Sequence, residues 1–98
     1  MRKTFSLHAP GKADARVLDA VKHEVRKYVK RERRKPLPEG FDGWSFACKV
    51  GISPASAEEV TLKEISGAID RVAADGSSEI FLAIVATPAT QRAMNGPA

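Results

Sequence analysis

Residues 14–35, DARVLDAVKHEVRKYVKRERRK, carry the strongest apolar period in the N-terminal half and most of the protein's positive charge. Apolar residues recur at three- and four-residue steps, as the buried face of an amphipathic helix requires. They are Val17, Leu18, Val21, Val25, Tyr28 and Val29. The pattern predicts a helix over residues 14–34, with Asp14 as its N-cap and Pro36 beyond its C-terminus.

A stripe of cations runs beside the apolar one at about 100° per residue. It consists of Lys22, Arg26, Lys30 and Arg33. No apolar residue follows Val29 in the helix, and Glu32 takes the next core-facing position. The last turns are therefore expected to project past the core as a cationic stub.

Three other stretches predict strands. Residues 3–8 and 44–52 alternate apolar side chains with small or polar ones. Residues 79–87, EIFLAIVAT, are apolar at both odd and even positions, so both faces of the strand are apolar. This is typical of a central strand. Pro88 is expected to end that strand, because proline lacks the ladder donor.

A second helix is predicted over residues 61–75. Thr61 and Glu64 have the spacing of a capping box, and Gly76 is placed as the C-terminal stop. Gly67 inside this helix is interpreted as marking a point where the helix and the sheet approach closely. The prediction is an α+β fold, a small two-layer α/β sandwich in β-α-β-α-β order, with two helices on a three-stranded sheet.

The expected domain covers residues 1–87, and residues 88–98 are expected to be a flexible C-terminal tail. Its core is expected to contain Trp44, Phe46, Cys48, Val50, Ile80, Leu82 and Ile84, together with Val21, Val25 and Ile69. A single cysteine rules out an internal disulfide and fits a reducing compartment. With no signal-peptide core and no apolar run of ~20 residues, we expect a cytoplasmic protein without a membrane partner.

The sequence contains no set of residues with the spacing that is typical of a catalytic or metal-binding site. His8 and His23 lie on different predicted elements, and neither has a ligand at metal-site spacing. Cys48 falls on the apolar parity of its strand, where a buried, inert thiol is expected. Glu58 and Glu59 are interpreted as a solvated acidic patch. We therefore expect no enzyme activity, no metal and no cofactor.

The charge distribution points to a binding function. Residues 1–35 have a net charge of +8 and residues 36–98 a net charge of −4. Such asymmetry favours a polyanionic partner, and phosphate binding needs several cations on one connected surface. The candidate nucleic-acid-binding residues are Lys22, Arg26, Lys27, Lys30, Arg31, Arg33 and Arg34.

Two other interpretations of the basic helix stay open. It can dock on an acidic protein surface or on the acidic half of a second copy, or it can be a solvated face. The choice between RNA and DNA and the oligomeric state also stay open.

Residues 30–51, KRERRKPLPEGFDGWSFACKVG, carry a resemblance to a known family. Together with the opening MRKTFSL and the W-x-F-x-C pattern from Trp44 to Cys48, they resemble a family of bacterial proteins of roughly this length. That family is known as a domain of unknown function. The resemblance covers residues 1 to about 87 and implies a single intracellular bacterial domain, with no activity, cofactor or site residue to carry over.

Overall fold

The computed structural model describes residues 1–90, which form one four-stranded sheet and two helices. In chain order the elements are β1 (Arg2–Ser6), α1 (Asp14–Arg33), β2 (Gly43–Gly51), β3 (Glu58–Val60), α2 (Ile65–Ala74) and β4 (Glu79–Ala89). The strand order is β1-β4-β2-β3, and every neighbouring pair is antiparallel. The predicted α+β class is confirmed. The predicted three strands and β-α-β-α-β order are wrong, because β3 was missed.

β3 is only three residues long and pairs with β2 through Lys49↔Glu59 and Cys48↔Val60. Two of its residues are glutamates, which have low strand propensity, so the local sequence carries no strand signal. Pairing to an existing strand edge overrides that weak preference. The acidic residues previously interpreted as a solvated patch are exposed, as expected, but they belong to the edge strand of the sheet.

β4 is the central strand, as its apolar character on both parities predicted. Ile80, Leu82 and Ile84 are fully buried on the helix side, while Phe81 and Ala83 are buried on the other side. β1 and β2 flank it. The helices cover one side of the sheet, because their buried residues form one core cluster with this row of β4.

The prediction that Pro88 ends the last strand is wrong, since β4 runs through Pro88 to Ala89. The Ile84 N–H donates to the Met1 carbonyl at 2.7 Å, on the β1 side. Pro88 lies four residues after Ile84, so its nitrogen points to the same side of β4 as the Ile84 nitrogen. At that point β4 has already passed the end of β1. A missing N–H there removes no ladder hydrogen bond. Of the predicted tail, residues 91–98 lie outside the described residues.

α1 differs from its prediction at both ends. Its N-cap is Ala13, and Asp14 is the first helical residue, with its carboxylate turned to His8. Its last turn is not a free stub. The Trp44 indole N–H donates to the Lys35 carbonyl at 3.3 Å, and the Arg33 guanidinium lies 5.4 Å from the centre of the Phe46 ring. The start of β2 therefore supports the cationic end of the helix.

α2 has the hydrogen bonds of the predicted capping box, but it covers Ile65–Ala74 and not residues 61–75, with Glu64 as its N-cap. The Thr61 N–H and hydroxyl donate to Glu64 Oε1 at 3.1 and 2.9 Å, and the Glu64 N–H donates back to Thr61 Oγ1 at 3.2 Å. The Glu64 N–H also reaches the Thr61 carbonyl, so the first turn is tighter than α and the α-helix begins at Ile65. Gly76, with φ of 82°, follows the helix as predicted.

The expectation of a close contact at Gly67 is wrong. A Cβ placed on Gly67 meets no heavy atom within 4 Å. The close approach is at Gly51, where a Cβ would lie 2.6 Å from the Cα of Ala57. The turn that returns the chain from β2 to β3 thus passes directly over a glycine.

The predicted core is confirmed at eight positions: Val21, Val25, Cys48, Val50, Ile69, Ile80, Leu82 and Ile84. Trp44 and Phe46 are half-buried instead; among the described residues, the end of α1 contacts both side chains. Ile52 is 57% exposed, since β2 ends at Gly51, one residue before the predicted end. β1 covers residues 2–6 and not 3–8.

Candidate functional site

A groove with a volume of about 580 Å³ lies between α1 and α2. Its lining comes from two segments that are far apart in sequence. α1 contributes Lys22, Val25, Arg26, Val29, Lys30 and Arg33, followed by Arg34, and the α2 segment contributes Leu62, Ile65, Ser66 and Ile69. The groove therefore combines part of each helix's apolar face with the cationic stripe.

The floor of the groove is aliphatic. Val25, Val29, Ile65 and Ile69 are each at most 7% exposed, and Leu62 is half-buried. These side chains belong to the faces with which the helices pack on each other and on the sheet.

One border of the groove is formed by cations, here called the cationic rim. It consists of Lys22, Arg26, Lys30, Arg33 and Arg34. From its first to its last residue the rim extends about 18 Å along the helix, at 1.5 Å per residue. The sequence prediction that these cations share one connected surface is consistent with this arrangement.

Two members of the rim are engaged by other side chains. The Nζ atom of Lys22 lies 2.6 Å from Oδ1 of Asp70. Arg33 stacks over Phe46. The remaining three, Arg26, Lys30 and Arg34, are exposed and form no ion pair within residues 1–90. They are the rim positions most accessible to an anion.

Two of the seven predicted site residues lie outside the groove lining. Lys27 is exposed on α1 away from the groove, and the Arg31 guanidinium lies 5.4 Å from the centre of the Tyr28 ring. Glu32 forms ion pairs with two neighbouring cations. Its carboxylate is 2.7 Å from Lys35 Nζ and 3.8 Å from Arg31 Nε. Contact with the Lys35 ammonium lowers the pKa of Glu32.

The contribution of α2 was missed from the sequence. Ser66 and Asp70 sit beside the rim, but α2 was interpreted only as a core element. The available signal was the aliphatic run Leu62, Ile65 and Ile69 with a serine between its members. Nothing in that run indicates which face of α1 it meets.

The sequence spacing suggested no carboxylate beside His8, but the structure places one there. Its Nδ1 atom lies 3.0 Å from Oδ1 of Asp14, and both residues line a small cavity of about 230 Å³. The pair is open to solvent, with side chains 57% and 71% exposed. His8 Nε2 has no hydrogen-bond partner within residues 1–90, so no third group completes an acid–base set in that part of the chain. The absence of enzyme activity stays a prediction.

Cys48 is 2% exposed at the centre of the core, and burial raises the pKa of its thiol. A thiol with a raised pKa carries little of the reactive thiolate at neutral pH. The predicted buried position is confirmed.

The chain belongs to a family of unknown function (DUF6172), whose model matches residues 1–95. The expected membership in a family of unknown function is thereby confirmed, and the match extends past residue 87. No curated protein and no solved structure matches the chain. Among residues 1–90, neither helix has the length and apolar character needed to cross a membrane.

Proposed function

We propose that this protein is a non-catalytic binding domain that contacts nucleic-acid phosphates through the cationic rim. The observation that carries the proposal is the row formed by Arg26, Lys30 and Arg34. These cations recur every four residues, about 6 Å apart along the helix, and none has an acidic partner within residues 1–90. Neutralising phosphates with such a row releases condensed counterions, which drives association.

The proposed binding is largely independent of sequence. The exposed rim side chains are arginine and lysine, whose charge binds phosphates whatever the base sequence. Without contacts that select one base over another, the dissociation constant is expected to fall in the non-specific range of about 10⁻⁴ to 10⁻⁶ M. We place this function in the bacterial cytoplasm, where RNA and DNA are both abundant.

An acidic protein partner is the second candidate. The observation that favours it is the aliphatic lining of the groove, which accepts the side chain of a leucine or valine as readily as a base. Isolating bound partners from lysate before and after nuclease treatment separates the two candidates. Loss of the partner on nuclease treatment supports nucleic acid, and retention of an acidic protein supports the second candidate.

The direct test compares two double variants of equal charge. Lys30→Glu with Arg34→Glu reverses two exposed rim cations, and Lys12→Glu with Arg16→Glu reverses two exposed cations outside the groove. Labelled RNA and DNA oligonucleotides are titrated at low salt into the wild type and both variants. We expect the rim variant to lose binding while the control retains it.

Equal weakening by both double variants would show that net charge alone matters and would contradict a site on the rim. Absence of binding by the wild type would contradict the proposal outright. Circular dichroism spectra of both variants check that the fold is intact.

A further inference from the structure

We infer that the groove between α1 and α2 holds an unpaired base of a single-stranded nucleic acid whose phosphates lie on the cationic rim. This inference rests on the proposed function and names the form of nucleic acid that it takes. A duplex offers phosphates but keeps its bases stacked inside. A single strand offers phosphates and bases that can turn away from each other.

The groove places aliphatic side chains directly beside cations, which suits the two parts of a nucleotide. Val29 and Ile65 lie on the same lining as Arg26 and Lys30. A base presents apolar faces while its phosphate carries the charge, so one nucleotide can contact both surfaces at once.

The distribution of polar groups fits a nucleotide. The cationic rim borders one side of the groove, where the phosphate attached to an inserted base would lie. On the α2 side, Ser66 lines the groove, and its hydroxyl has no hydrogen-bond partner within residues 1–90. A hydroxyl both donates and accepts, so it can meet the polar edge of any base without selecting one.

The ion pair between Lys22 and Asp70, which joins the two helices, lies at one end of the cationic rim. Within the groove lining there is no aromatic residue. The inserted base is therefore held by aliphatic contact and by the phosphates on either side, and not by stacking on a ring. Sequence preference should be weak for the same reason.

The experiment compares two single-stranded DNA ligands of equal length and charge, each of about 12 nucleotides. One is oligothymidine and the other is an abasic strand with the same sugar–phosphate backbone. We expect wild-type protein to bind oligothymidine roughly fivefold more tightly, since partial burial of one base against aliphatic side chains is worth about that factor. The abasic strand measures the phosphate contribution alone.

A variant that fills the groove provides the second measurement. Ser66→Leu adds bulk at an exposed position of α2 without changing charge or adding a ring on which a base could stack, and Ser66→Ala removes only the hydroxyl. We expect Ser66→Leu to bind both strands equally, at the level of the abasic strand, and Ser66→Ala to retain most of the preference.

The outcomes separate this inference from the proposed function. Equal, salt-sensitive binding of both strands by the wild type overturns the base-binding groove and leaves phosphate binding in place. Binding of neither strand overturns both. Tighter binding of an acidic peptide containing leucine than of oligothymidine also overturns the inference and assigns the groove to a protein ligand.

Discussion

The ammonium of Lys22 lies 2.6 Å from the carboxylate of Asp70, which ties α1 to α2 beside the groove. Lys22 is largely covered, with 18% of its side chain exposed, while Asp70 is 52% exposed. The pair therefore removes one cation from the rim and places one carboxylate next to it. Both consequences can be measured.

Asp70→Asn should tighten oligonucleotide binding while lowering stability slightly. Removing the carboxylate takes away repulsion of phosphate and releases the Lys22 ammonium. An interaction on the order of 1 kcal/mol between charges in water corresponds to roughly fivefold in affinity. A half-exposed ion pair contributes about 0–1 kcal/mol to the free energy of unfolding. Titration and urea unfolding measure the two effects, and weaker binding by the variant would argue against phosphate near this end of the rim.

Gly51→Ala should destabilise the protein. The new Cβ would lie 2.6 Å from the Cα of Ala57 and 2.8 Å from its nitrogen, so the backbone of the turn must move. Overpacking of this kind costs about 1–3 kcal/mol. The free energy of unfolding from urea denaturation gives the magnitude. An unchanged value would mean that the turn after β2 yields without cost.

Gly67→Ala should act in the opposite direction. Gly67 is exposed inside α2, and an added Cβ meets no heavy atom within 4 Å. Alanine is favoured over glycine in a helix interior by about 1 kcal/mol. A gain in unfolding free energy is expected in the same assay. A loss would show that this position has a neighbour which an alanine disturbs.

The capping box should make part of the stability sensitive to acid. Hydrogen bonds from the Thr61 backbone and then from its hydroxyl lower the pKa of Glu64 from its ordinary value of 4.5. A carboxyl whose folded pKa is lowered stabilises the fold above its unfolded pKa, and this contribution is lost as pH falls through the folded pKa. Stability should therefore decline as the pH drops below about 4.5.

Glu64→Gln isolates that contribution, because glutamine retains the hydrogen-bond acceptor but does not titrate. We expect the wild type to exceed the variant in unfolding free energy at neutral pH and the two to converge in acid. A constant difference at every pH would assign the acid sensitivity to other carboxyls.

Much of the fold could be predicted from local patterns. The spacing of apolar residues indicates which face of an element is buried, and capping residues, glycine and proline mark where elements begin and end. α1, β2, β4 and the Thr61–Glu64 box were recognisable because each repeats its signal over several residues or at a fixed spacing. β3 was not, because Glu58 and Glu59 adopt a strand only through pairing with β2. The support of Trp44 for the end of α1 likewise depends on a contact between distant segments.

The candidate site was only half predictable for a related reason. The cations of α1 repeat at helical spacing, so their common face could be read from the sequence. The groove arises where that face meets Leu62, Ile65 and Ser66, and no sequence signal relates two helices separated by two strands. The engagement of Arg33 with Phe46 was hidden in the same way.

The salt dependence of single-strand binding tests the central claim most directly. If Arg26, Lys30 and Arg34 each neutralise one phosphate, the logarithm of the association constant should fall against the logarithm of salt concentration. The expected slope is about −2, from roughly −0.7 per phosphate on a single strand. The Lys30→Glu and Arg34→Glu variant loses two of these three contacts, so its slope should be about −0.7. A wild-type slope near zero, or the same slope in the wild type and this variant, would contradict phosphate binding on the cationic rim.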